Sequence, residues 1–148
     1  MTRKEKFEFE LLDRSKSNLY NKALSEWNII KFQKVIHDEK CLCGNNITNL
    51  VYCINRFTKT EILTGSCCCK KFMNINVDKY FTSLNKLKLN LSTILPINIL
   101  NLYHQSKTIT DWEYKFVTDL KQFKRLSIKQ RQLIEKINLK ILNDYENN

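Results

Sequence analysis

Cys41 and Cys43 flank a single residue in the string CLCG, and Cys67, Cys68 and Cys69 follow as an unbroken run in GSCCCKKF. Thiolates are soft, anionic donors, and two such groups brought together can chelate a metal ion. Gly44, directly after the first pair, lets the backbone turn sharply enough to aim amide donors at the sulfur atoms, as a zinc knuckle requires. The segment 41–72 holds all six cysteines and both glycines of the chain, Gly44 and Gly65. Glycine is thus reserved for backbone positions that need it.

Tetrahedral zinc takes four ligands, and the sequence offers more candidates than seats. Successive residues of a helix point about 100° apart, so one member of the triple cysteine is expected to ligate. Cys68 is favoured, with Cys67 as an alternate. The fourth seat falls to His37, four residues before Cys41, or to Cys53 in the strand that follows the knuckle. The expected set is Cys41, Cys43, Cys68 and His37 around one structural zinc; the plain alternative is a group of free thiols. A closed shell of this kind supplies folding free energy and leaves no place for water or substrate. An open three-ligand site would need a general base, and Glu61 is the only acidic residue from Cys41 to Asn76. With no C-x-x-C pair beside a βαβ pattern and no nucleophile near a base, the chain reads as a non-enzyme. His104 reads as a surface residue.

The elements around the cysteines suit a treble-clef-like arrangement. Leu50–Ile54 and Glu61–Thr64 are rich in strand formers and flank a turn over Asn55–Thr60, which predicts a hairpin. Ser66 can cap a helix that begins at the cysteine run, and a helix N-terminus favours a thiolate. Upstream, residues 1–14 mix charge with Phe7 and Phe9 and read as a mobile arm or edge strand. Leu19, Tyr20, Ala23, Leu24 and Trp27 have helical spacing from Ser15 onward, before an apolar extended piece over 28–36, with Trp27 read as core. Downstream, helices are predicted over Val77–Leu91 and Ile97–His104, separated by Pro96, the only proline. Thr110 with Glu113 and Ser127 with Gln130 form capping boxes that open two further helices, expected to pack as a hairpin. The first would carry Trp112, Phe116, Leu120 and Phe123, the second Leu133, Ile134, Ile137 and Ile141. The fold class is therefore α+β, mainly α, with a small zinc-bound hairpin module embedded in a helical domain. Its parts are 1–36 (arm and helix), 37–76 (zinc module) and 77–148 (helical region).

The strings CLCG at 41–44, YCIN at 52–55 and GSCCCKKF at 65–72 together resemble a small module of giant-virus and bacteriophage proteins. That module pairs a C-x-C-G knuckle with a Gly-Ser-x-Cys segment running into Lys-Lys-Phe. Glu26–Trp27, TDWEYKF at 110–116 and LSIKQ at 126–130 extend the likeness, while Cys69 stands where a branched apolar residue is expected. The resemblance implies shared metal positions at Cys41, Cys43 and Cys68 and a viral or phage nucleic-acid setting.

The 148 residues carry 25 Lys and Arg against 15 Asp and Glu, a net charge of +10, and 43% of them are hydrophobic. That suffices for a core, and the charge suits a polyanion, because each phosphate contact releases condensed counterions. Abundant lysine as a mere solubilising residue is the bland alternative. Arg56, Lys59, Lys70 and Lys71 surround the cysteine segment, and 115–140 holds eight Lys or Arg against Asp119 and Glu135. Lys121, Lys124 and Arg125 are expected to form one basic face with Lys129, Lys136 and Lys140 of the last helix. Tyr52, Phe57 and Phe72 could stack on unpaired bases at roughly 1–3 kcal/mol each, or complete the core beside the metal. Neither a signal peptide nor a membrane-spanning run is visible, so an intracellular location without membrane contact is expected, where six cysteines point to metal more than to disulfides. The expected function is a nucleic-acid-binding accessory protein, for DNA or RNA, in viral or phage replication, repair or transcription. The alternative is an adaptor docked on a larger viral replication or transcription protein.

Overall fold

The computed structural model describes residues 1–146. Among them the order of elements is α1 (Arg3–Asp13), α2 (Tyr20–Leu24), β1 (Trp27–Lys40), β2 (Asn46–Asn55), β3 (Glu61–Gly65), α3 (Ser66–Phe72), α4 (Asp78–Leu89), α5 (Ile97–Gln105), α6 (Asp111–Leu120) and α7 (Ile128–Tyr145). The class is α+β, mainly α, with one three-stranded sheet in the order β1-β2-β3. Among the described residues the chain divides into two compact units, 1–78 and 79–146. The last two residues of the expected helical region, 147 and 148, lie outside the described residues.

In the first unit both sheet pairings are antiparallel. Leu50 and Val51 are adjacent in β2, point to opposite faces, and are both fully buried, so the sheet is covered on each side. The expected hairpin is present, with β2 reaching further back than its apolar stretch. Residues 1–14 are neither arm nor edge strand. They form α1, whose N-cap Thr2 accepts a hydrogen bond from the Glu5 amide, and whose Phe7 and Leu11 are fully buried. Phe7 packs its ring 5.3 Å from that of Phe72 on α3. The helix expected from Ser15 shrinks to the five residues of α2, because Trp27, buried as expected, already belongs to β1. Its indole Nε1 donates to Ser15 Oγ at 2.9 Å.

One buried carboxylate organises the end of the sheet away from the cysteines. Glu26, 4% exposed, accepts from the Lys16 and Ser17 amides at 2.8 and 2.9 Å and from Asn55 Nδ2 at 3.0 Å. Asn55 Oδ1 in turn accepts from the amides of Phe57 and Thr58, fixing the β2–β3 turn. Thr58 Oγ1 then ties this turn to the carbonyl of Arg14 at the end of α1.

The second unit is helical. Pro96 is the N-cap of α5, the place where its missing amide hydrogen costs nothing. Both downstream capping boxes are closed as the sequence indicates. Lys140, near the end of α7, reaches Glu113, near the start of α6, at 2.8 Å, which ties the two helices together at that point. Lys140 is therefore not part of a free basic face. The buried side of α6 is Glu113, Val117 and Leu120, which rotates the expected stripe: Trp112 is 61% exposed and stacks on Phe116. Helix α6 ends at Leu120, and Phe123 lies beyond it, half exposed.

Burial pushes the Glu26 pKa up, but the bonds from Asn55, Lys16 and Ser17, with Arg56 nearby, outweigh it and hold the carboxyl below its ordinary value. A depressed folded-state pKa contributes stability above the unfolded carboxyl pKa and loses it as pH falls through the folded value. Glu26→Gln is thus expected to unfold at lower urea than the wild type at pH 7, with the two midpoints converging below about pH 4. A gap that persists unchanged at low pH would contradict this account.

Candidate metal centre

The knuckle follows directly from β1. Within it the Gly44 amide donates to the Cys41 carbonyl and the Cys41 amide to the Asn45 carbonyl, each at 2.8 Å. Gly44 sits at φ +96°, a conformation that residues with a Cβ rarely adopt. Lys6 Nζ lies 3.0 Å from where a Cβ would stand, so α1 also closes over this turn. At the other side β3 runs into α3 through Gly65. A Cβ there would come within 2.9 Å of Ile47 Cγ2, and its absence lets the β3–α3 junction close onto the start of β2. Gly65 itself takes the N-cap position, without a side-chain cap bond, and Ser66 is the first helical residue rather than the cap.

These two junctions bring Cys41, Cys43 and Cys68 together. All three are buried, and their Sγ atoms lie within 4.8 Å of one another. Knuckle, hairpin and helix thus follow in the expected order, and the group they form could hold a metal ion. Cys41 Sγ accepts from the Gly65 amide at 3.4 Å and lies 3.6 Å from Thr64 Oγ1. Its interaction with the Cys68 thiol lowers its pKa most; burial opposes this, and the Cys43 amide, Thr64 hydroxyl and Gly65 amide add to the lowering, leaving it at about 5. Cys68 moves the other way, raised first by that same interaction and then by burial. A cluster in which one thiol is shifted toward its anionic form is partly prepared for a cation.

The remaining candidates lie apart from this group. His37 is exposed, within the stretch of β1 between Lys34 and Glu39 where the pairing register shifts. It is not among the residues whose ligand atoms come together with those of Cys41, Cys43 and Cys68. Cys53 is buried in β2, its thiol pKa raised by burial. Cys69 is fully buried, and burial chiefly pushes its thiol up to about 12. Cys67 is exposed and shares the Arg3 guanidinium with Cys68: Nη2 stands 4.0 Å from Cys67 Sγ and 3.6 Å from Cys68 Sγ.

Arg3 and Thr64 are the neighbours that sequence reasoning passed over. A signal for Arg3 existed, because Thr2 followed three residues later by Glu5 is the same helix-start pattern used at Thr110 and Ser127. The eight basic candidates are all exposed: Arg56 and Lys59 on the β2–β3 turn, Lys70 and Lys71 on α3, Lys121, Lys124 and Arg125 between α6 and α7, and Lys129 in the first turn of α7. Lys70 stands 3.8 Å from Asp78.

The chain matches no family model, no curated protein and no solved structure. Among the described residues no helix is long and apolar enough to cross a membrane.

Serine in place of Cys41, Cys43 or Cys68 is expected to lower the bound metal per chain after gel filtration, while His37→Ala leaves it unchanged. Gly65→Ala should cost about 1–3 kcal/mol in urea denaturation, since the added methyl must displace Ile47.

Proposed function

We propose that the chain is a zinc-stabilised nucleic-acid-binding accessory protein, one that serves viral or phage replication, repair or transcription. The observation that carries this reading is the buried three-sulfur group formed by the β1–β2 knuckle and α3, in a unit whose β2–β3 turn presents Arg56 and Lys59 and whose α3 presents Lys70 and Lys71 to solvent. Zinc fits the donor set: bonds of about 2.3 Å to tetrahedral sulfur ligands put the sulfurs roughly 3.8 Å apart, and the three lie within 4.8 Å of one another. Cys41, Cys43 and Cys68 would hold the ion at three of its four positions. Three thiolates leave such a centre with one negative charge, beside which the Arg3 guanidinium is well placed. When bound, the metal supplies folding free energy to the first unit. The exposed cations then hold phosphate with little sequence preference, through counterion release.

A second reading, an adaptor docked on a larger protein, draws support from the apolar groups of the second unit. Trp112, Phe123 and Ile128 are 61%, 50% and 79% exposed, more than single surface residues need explain.

The test is fluorescence anisotropy of labelled single- and double-stranded oligonucleotides at two salt concentrations, with zinc-loaded and chelator-stripped protein. The expected result is binding that requires zinc and weakens steeply with salt. Reversing the charges of Lys121, Lys124 and Arg125 together should abolish it if the loop between α6 and α7 contributes; unchanged affinity would remove that loop from the surface. Zinc-loaded protein that binds neither strand type would discard the nucleic-acid reading and leave the adaptor.

A further inference from the structure

Away from the three-sulfur group, an open depression of about 380 Å³ lies in the first unit, lined by Lys16, Ser17, Lys22, Ser25, Glu26, Arg56 and Phe57. Its outward groups are three cations and a half-exposed ring. Lys16 Nζ stands 4.7 Å and the Arg56 guanidinium carbon 4.8 Å from the centre of Phe57. The one carboxylate, Glu26, is buried at the base and already engaged by the Lys16 and Ser17 amides and by Asn55. It therefore serves the walls. It fixes the turn that carries Lys16 and, through Asn55, the turn that carries Arg56 and Phe57.

Two cations held against one aromatic ring repel each other, and an anion entering between them relieves that repulsion. Both cations stand over the ring itself, so a base that stacks on Phe57 takes the place of one of them, which swings out toward the phosphate. A ligand that unites phosphate with a planar base answers both features, and a shallow depression that does not enclose its occupant suits a stretch of a strand more than a single enclosed nucleotide. We infer that this groove binds single-stranded nucleic acid, its phosphates against Lys16, Lys22 and Arg56 and one base stacked on Phe57. The inference rests on the nucleic-acid reading above and deepens it by naming the strand form and two lysines outside the surfaces already described.

Full-length, metal-loaded protein is titrated into labelled oligothymidylate, into an abasic strand of equal length, and into oligothymidylate with thymidine monophosphate as competitor. Phe57→Leu is expected to weaken oligothymidylate binding roughly five- to a hundredfold while leaving the weaker abasic binding unchanged. Lys16→Glu and Lys22→Glu should weaken both. A matched urea midpoint for Phe57→Leu excludes misfolding as the cause. If wild type binds the strand and all three variants bind it equally well, the groove assignment falls while the nucleic-acid reading stands. If wild type binds neither strand nor duplex, both fall. Competition by the monophosphate as strong as by the strand itself would overturn the strand in favour of a free nucleotide.

Discussion

Three sulfur atoms share one small buried space, and the local backbone of the first unit is arranged around that requirement. Protonated thiols are poor hydrogen-bond partners, and several thiolates together repel, so without a cation the group can carry at most part of its possible charge. The thiol of Cys41 is shifted down because the Cys68 thiol, backbone amides and the Thr64 hydroxyl turn toward it, and that of Cys68 is shifted the other way. The two glycines of the chain lie on either side of this space. Gly44 allows the left-handed turn of the knuckle, and Gly65 allows β3 to pass into α3 against Ile47. Their locations follow from the sulfur geometry more than from any general need for flexibility.

The sheet carries this order to its far end. Strands β2 and β3 pair from Gly65 beside the sulfurs to Glu61 beside the turn, so the placement of one end constrains the other. There the design changes from sulfur to oxygen: a buried carboxylate and a buried amide hold two turns together and leave cations and an aromatic ring outside. The proposed metal and the proposed strand groove thus sit at opposite ends of one hairpin. Metal loading and strand binding are expected to be linked through the stability of that hairpin rather than through direct contact.

The parts of this arrangement that are governed by local chemistry were legible in the sequence. Cysteine type and spacing indicated the knuckle and the helix that meets it, and the pairs Thr110–Glu113 and Ser127–Gln130 located two helix starts. What escaped depends on distant neighbours. Phe9 drew attention away from the i, i+4 pair Phe7 and Leu11, of which Phe7 packs on Phe72 of α3. The face of α6 was set by Glu113, buried because Lys140 arrives from another helix, so the aromatic spacing pointed to the wrong side. His37 looked close to the knuckle along the chain, yet it stands outside the sulfur group, in a strand that continues to Lys40, and no local residue preference announces where a strand will stop.

Of the six thiols, five are buried and Cys67 alone is exposed. A maleimide or nitroxide reagent added to the folded chain therefore has one accessible address without any cysteine being engineered in or out. That address adjoins Cys68 and Arg3, where α1 meets α3. The native sequence thus already carries a reporter position for spectroscopy, one that reads the seam between the N-terminal helix and the sulfur cluster.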